Sequence, residues 1–515
     1  MFNKNMKKIT MAGLTFAFAI VMTACGGQNE RNTNQLVVAQ TSDATNLDLH
    51  ASNDASSSLV LVQIFETLVR QDENMNIVPG LAESYELLED GKTYQFNLRN
   101  DVYFHNGEKF TAHDVKFTFL RALQSPQVAH IVDQIDPNGI EIIDDYTIKI
   151  STVEPYAPFL NHLAHNAAGI MNQKAVEEAG DRVNQRPVGT GPFEFVSWTN
   201  GDRVVLRRFE DYYGEKPAFE ELIIRAIAEG ANRTMELETG EIDIAIPIVA
   251  SDIQRVEDNN DLKLLRAQNL TTQHIGFNQN KEPFNDVRVR QAINYAVNNQ
   301  LILDTILEGV GGLSTGPIGA NVWGARTDLY VYEQNLEKAR ELLAEAGYPN
   351  GFQTTLWTSN AGTGPMIVEA VQSQLREVGI DARVEQMEWG AYIEALANGD
   401  HDMFIMGWGS VTGDADYGLY SLFHSSQPSS AGNRTFFNNE RVDELLDFAR
   451  STKDPEARLE AYSEIQEIIV DEAPWLFLVT GETLVGTRKD VQGFVINPNG
   501  HHRFANVYFS ETDGE

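Results

Sequence analysis

One cysteine, Cys25, occurs in 515 residues, so no disulfide within the chain is available to staple the fold. Cations are scarce: 39 lysines and arginines face 74 acids, a formal net charge of −35. A body of that sign repels nucleic acid and anionic lipid, which excludes a nucleic-acid partner. The acids are spread along the whole chain and read as a solvated surface. After the N-terminal stretch, no run reaches the roughly 20 apolar residues that a spanning helix needs. Catalytic signatures are missing too. There is no Gly-x-Ser-x-Gly elbow, no His-Glu-x-x-His, no Walker lysine loop and no dinucleotide glycine fingerprint after a strand. The 11 histidines are scattered, and only His162/His165 and His501/His502 are close in sequence. No carboxylate–histidine set completes either pair, so they read as packed or surface residues. No catalytic residue, metal or cofactor is expected, and the chain is not expected to be an enzyme.

What is there begins with the surroundings of Cys25. Lys4, Lys7 and Lys8 precede an uncharged run from Ile9 to Met22, followed by Thr23, Ala24, Cys25, Gly26 and Gly27. Positive, apolar and small-residue regions in that order make an export signal. The run is too short to cross a bilayer. A cysteine directly after small residues is the lipoprotein form of such a signal, in which the thiol is acylated and becomes the first residue. Residues 1–24 are therefore expected to be a signal peptide and 25–35 a polar, flexible tether. The body begins at Leu36 and is held outside the cytoplasm, at the cell membrane, through the lipid alone.

That body has 42% hydrophobic residues and 26 phenylalanines, enough for a large core divided among about two to four domains of ~150 residues. Its early part alternates short strands with helices: a strand at Leu36–Gln40, a helix at Ser58–Arg70, and hairpin strands around Tyr94–Leu98 and Ile148–Ile150. Strands at Phe193–Trp198 and Arg203–Arg208 flank the turn Asn200-Gly201-Asp202. From His274 long helices predominate, with isolated strands at Thr354–Trp357, Ala382–Gln386 and Met403–Gly407 between them. This alternation implies an α/β fold with parallel pairing. The chain is expected to cross to a second lobe near 275 and return near 475, giving a two-strand hinge. Gly309 to Pro317 is glycine-rich but has no lysine, and reads as a turn.

One segment concentrates polar chemistry. Phe404 to Met406 runs as an apolar strand into Gly407-Trp408-Gly409-Ser410-Val411-Thr412-Gly413-Asp414-Ala415-Asp416-Tyr417. At the carboxyl end of a strand in an α/β lobe, such a loop faces the ligand cleft. Trp408 offers a stacking surface, and Asp414 or Asp416 a partner for an ammonium group. The alternative use of either carboxylate is to cap the helix that begins near Tyr417.

The stretches Leu81–Leu123, Pro187–Tyr213, Pro283–Asn299, Asn335–Gly351 and Val442–Arg450 resemble the family-5 solute-binding proteins of ABC importers, in order, over residues 36 to 510. The resemblance implies a two-lobed type II periplasmic-binding fold (cluster C) with an extra subdomain inserted in the first lobe. Lobe I would comprise 36–80, 186–275 and 476–515, the extra subdomain 81–185, and lobe II 276–475. It further implies capture of a solute between the lobes, hinge closure and docking on membrane permease subunits, by a monomer. Peptide binders of the family place an aspartate three residues after the loop tryptophan to hold the ligand's amino group. Here Val411 stands at that position, and the loop is similar to that of the glutathione-binding branch. The ligand implied is a short peptide, glutathione or a similar molecule, met by Trp408, Thr412, Asp414, Asp416 and Tyr417. Arg434 and Arg326 are the candidates for a ligand carboxylate. The other readings are a nickel-chelate or haem receptor of the same family, an exported hydrolase, and a chaperone or adhesin on the same scaffold.

Overall fold

A single eleven-stranded mixed sheet runs through the molecule and is held together at its middle by two long strands. The computed structural model describes residues 32–329, 332–360, 362–428 and 432–510; Cys25 and the signal lie outside them. From one edge the strands are Asp381–Met387, Gln353–Ser359, Met403–Gly409, Leu262–Phe277, Trp475–Arg488, Ile244–Ala245, Gln35–Gln40, Glu221–Ala226, Arg203–Arg208 and Phe193–Thr199, with Gly312–Leu313 paired to Trp475–Arg488. Gln353–Ser359 is parallel to both of its neighbours, and Gln35–Gln40 is parallel to Glu221–Ala226 and Ile244–Ala245. The first strand thus starts at Gln35, whose side chain donates to Glu221 at 2.7 Å.

Leu262–Phe277 and Trp475–Arg488 pair antiparallel along nearly their whole length, with register shifts between Gln268 and Thr272 and again at His274. On one side of this seam a core gathers Leu36, Phe193, Leu222 and Val507; on the other, Ile275, Val289, Leu356 and Leu476. A third core belongs to the antiparallel four-stranded sheet of residues 82–152, filled by Phe96, Phe104, Phe119 and Ile148. Among the described residues, no helix is long and apolar enough to cross a membrane.

The helix expected over Ser58–Arg70 is shorter. It spans Ala55–Ile64, is capped by the Asp54 side chain, and gives way at Phe65 to extended backbone. Val69–Gln71 then pairs with Ile77–Pro79. Every residue from Ser57 to Ile64 is buried, so apolar character runs around the helix and onward past its end. Periodicity is a poor ruler in such a segment.

Two helices bring cations to the Trp408 loop. Glu440–Ser451 starts at Asn439, whose side chain accepts from the Arg441 and Val442 amides. It buries Val442, Leu445, Leu446 and Ala449, the spacing of one helix face, and so carries Arg450 along the edge of that face in its last turn. Pro455–Glu472 is capped by Asp454 and opens on a proline, which suits a first turn whose amides have no helical partner. Arg458 and Tyr462, four residues apart, share its inner face.

Candidate ligand-binding site

Trp408 lies on the strand Met403–Gly409, opposite Thr272 of the bridging strand Leu262–Phe277. It is a wall common to three cavities. One, of about 360 Å³, is lined on its far side by His130, Asp133, Tyr156 and His162 from the 81–185 segment. A second, of about 370 Å³, lies over the paired long strands, between Thr271–Gln273 and Val479–Glu482. The third is a narrow space of about 10 Å³ among His274, Phe404, Met406, Arg434 and Trp475. The indole Nε1 is buried and, among the described residues, has no hydrogen-bond partner. An N–H left in that state costs about 1–3 kcal/mol until an acceptor reaches it.

After Gly409 the chain turns tightly. The Gly413 amide donates to Ser410 O at 2.7 Å, with Gly413 at φ 72°. That positive φ favours glycine, and the Met75 and Gln71 side chains pack where a Cβ at Gly413 would lie, 2.3 Å from Met75 Cε. The Thr412 carbonyl accepts there from Gln71 Nε2 at 2.6 Å and Asn161 Nδ2 at 3.5 Å, and the Thr412 side chain is fully buried.

The turn delivers Asp414 to the start of the helix Ala415–Phe423, where its side chain accepts from the Asp416 amide at 3.0 Å. Arg458 Nη2 meets both of its oxygens, at 2.8 and 3.0 Å, and the Tyr462 hydroxyl adds a contact at 3.4 Å. Burial pushes the Asp414 carboxyl up and Arg458 opposes it; against burial, Asp414 in turn holds Arg458 above its usual value. With its side chain 1% exposed and outside the cavity lining, Asp414 caps the helix and anchors Arg458.

Asp416 differs, because it lines the cavity of about 360 Å³ beside Tyr417, which packs on Trp408 at 5.6 Å between ring centroids. Arg450 meets it with a fork, Nε to Oδ1 and Nη2 to Oδ2, each at 3.0 Å. The guanidinium also lies 3.4 Å over the Tyr420 ring, and the Asp416 carboxylate holds it above its usual value against burial. From the opposite wall the Tyr156 hydroxyl approaches Asp416 Oδ2 at 3.2 Å and His162 Nε2 at 2.8 Å. His162 Nδ1 faces the Ile131 carbonyl at 2.8 Å; a carbonyl only accepts, so Nδ1 carries the proton and neutral Nε2 accepts. One hydroxyl hydrogen thus serves two acceptors, one on each side of the cavity. Asp133, exposed at the rim, accepts from Gln134 Nε2 at 3.1 Å and, among the described residues, forms no ion pair.

The two arginine candidates separate. Arg434 is buried beside Trp408 in the narrow space, where burial lowers its pKa. Arg326 is bound to Asp328 Oδ1 at 2.5 Å and Glu467 Oε1 at 2.9 Å on the outer surface, and the fold does not bring it to Trp408. Arg450, Tyr156 and Asp133 were missed in the sequence. Arg450 lay inside a family-like stretch but 34 residues from its partner, and nothing local marks Tyr156 or Asp133. Among the described residues, no group of three or more His, Cys, Asp or Glu side chains is placed to hold a metal; His165 instead meets the His501 ring edge-on at 5.3 Å.

Two lobes built on one sheet, joined by paired strands and with an antiparallel body added to the first, define a type II periplasmic-binding architecture. The family model "Bacterial extracellular solute-binding proteins, family 5 Middle" matches residues 76–430, and the chain belongs to that family. It is therefore a solute-binding protein and not an enzyme. It is 34% identical over 476 residues to the glutathione-binding protein GsiB of Escherichia coli O1:K1, spanning 90% of this chain and 92% of that relative. Among solved structures it resembles the periplasmic binding protein DppA of Helicobacter pylori in complex with the peptide STSA (30% identity, TM-score 0.76, 92% of this chain and 98% of that one). It also resembles HbpA2 of Haemophilus parasuis (30% identity, TM-score 0.86, 93% and 100%).

Proposed function

We propose that this protein is the lipid-anchored substrate-binding component of an ABC importer, with Cys25 as the acylated residue. It captures short peptides, glutathione or a similar small peptide among them, by closure of the lobes, and as a monomer delivers them to membrane permease subunits. The observation that carries this reading is Trp408. It walls cavities whose combined size suits a small peptide, and its buried indole N–H has no partner among the described residues. Asp133 and Asp416 give one cavity its acid groups for a ligand ammonium. Arg450, already forked onto Asp416, sets that carboxylate's orientation, and Tyr417 extends the aromatic wall. The GsiB relationship supports a γ-linked or ordinary tripeptide scale of ligand.

Mass spectrometry of small molecules released from the purified protein, followed by calorimetry with dipeptides, oligopeptides, reduced and oxidised glutathione and nickel–histidine, tests this. Saturable heat from at least one peptide is expected. Saturable binding of the nickel chelate with none from any peptide, or turnover of a peptide, would sink the reading.

A further inference from the structure

Away from Trp408, a cavity of about 280 Å³ opens between the end of the helix Ala55–Ile64, the Tyr212–Glu215 loop and the C-terminal stretch around Arg503. It shares no lining residue with the three cavities around Trp408. Two arginines, Arg70 and Arg503, line it. Acids outnumber cations by 74 to 39 in this chain, and several buried or half-buried arginines sit on carboxylates, Arg121 on Asp48, Arg450 on Asp416 and Arg458 on Asp414, while Arg233 is held by the carbonyls of Ile227, Ala228 and Pro247. Arg70 and Arg503 do not sit on carboxylates. Arg70 Nε donates to Pro79 O at 3.3 Å and Arg503 Nη1 to Val62 O at 3.1 Å; among the described residues neither forms an ion pair.

The carboxylate that both feel is Glu66, which is sealed off. Its Oε1 accepts from the Tyr212 and Tyr213 hydroxyls, each at 3.0 Å, and its Oε2 from Thr190 Oγ1 at 3.2 Å. Glu66 is 1% exposed, so the tyrosines turn their hydroxyls onto it and leave their rings to the cavity. One buried carboxylate thus stands against two guanidinium groups that also act on each other, and burial raises its pKa in spite of them. Glu215 sits exposed on the rim loop and pairs with neither. A guanidinium pair short of carboxylate, in a cavity with aromatic and aliphatic walls, is the complement of an oxyanion on a small apolar body.

We propose that this cavity is a second ligand site, separate from the Trp408 site, which takes a small organic acid through its carboxylate on Arg70 and Arg503. The probes are sodium benzoate and inorganic phosphate, titrated calorimetrically into the full-length protein at constant ionic strength with chloride as the reference ion. Saturable 1:1 binding of benzoate is expected, with phosphate competing weakly for the same cations. Arg70→Gln should weaken benzoate binding at least ten-fold, and Trp408→Ala should leave it unchanged. Should Arg70→Gln not fold, Arg70→Lys, which keeps the charge and loses the fork, gives the same readout at about three- to ten-fold. Benzoate heats no larger than those of chloride, equal binding by the Arg70 variant, loss of binding in Trp408→Ala, or binding of phosphate without benzoate would each overturn the proposal.

Discussion

Around Trp408, Asp414 and Asp416 each have an arginine of their own, Arg458 and Arg450, delivered by two consecutive helices. Around the Tyr212–Tyr213 loop the ratio is reversed: Arg70 and Arg503 are near one sealed carboxylate, Glu66, which is held by hydroxyls instead of by cations. The same residue types therefore do different work. Where each carboxylate has its guanidinium, the pair shapes a loop, and the cavity beside it is walled by Trp408, Tyr417, Asp133 and the arginine-held Asp416. Where guanidinium groups outnumber carboxylates, the surplus charge faces a cavity. The lesson is that pairing ratio, more than the presence of charge, marks a surface that still has something to bind.

The largest effect expected is with acid, and it should separate the two regions. His50, His105 and His502 are pushed down to about 4 and His501 to about 3, by burial first and, for His50 and His501, by nearby arginines as well. His401, on the Trp408 side, is likewise pushed down by burial to about 4. Unfolded, these imidazoles take up protons near 6.5, whereas folded they resist until about 4, so between those values the unfolded chain binds more protons. Stability should accordingly fall as pH drops from about 6.5 to about 4, and level off for these groups below their folded values. Urea midpoints across that range, with hydrogen exchange to locate the first opening, check this. Burial also lowers His274, His162 and His130 on the Trp408 side and His165 beside His501. The first opening is expected on the Arg503 side, where His165, His501 and His502 lie together. An opening that starts at Trp408 would reverse the assignment.

Next comes Arg458→Ala. It leaves the Asp414 carboxyl buried without its guanidinium, and should lower unfolding free energy by about 3–5 kcal/mol in urea titration. Glu66→Gln makes the matched change on the other side. Its amide can still accept from the tyrosines while the desolvated charge is removed, so a loss of only about 1 kcal/mol or less is expected. Equal costs at the two positions would break the contrast drawn between them. Trp408→Ala should weaken peptide binding on the order of 2 kcal/mol by calorimetry, with the urea midpoint little changed. Asp133→Asn is the mildest: about 1 kcal/mol for peptides with a free amino group and none for their N-acetylated forms. An equal loss for both forms would remove Asp133 from ammonium recognition.

Much of this was legible before any coordinates. The apolar run Phe404–Met406 breaking into Gly407-Trp408-Gly409 marks a strand feeding a polar loop, because the apolar run stops and glycine, hydroxyl and carboxylate residues follow at once. Capping and ligand contact were both open for Asp414 and Asp416, since a carboxylate at a helix start suits either. The structure divides the two, with Asp414 at the cap and Asp416 at the cavity wall. Arg326 looked as suitable as any arginine until its neighbours Asp328 and Glu467 were seen to hold it. Arg450 and Tyr156 could not be read at all, as their partner Asp416 lies 34 and 260 residues away.

By itself the sequence determined the family, the α/β character, the lack of disulfide staples and the identity of the loop that carries Trp408. Each follows from composition, periodicity or contiguous motifs, which are properties of neighbours along the chain. Tertiary structure alone decided which charges are spent and which remain. Whether a guanidinium finds a carboxylate within about 4 Å depends on how helices and lobes are juxtaposed, and a buried charge is stabilised only by the partner that packing brings to it.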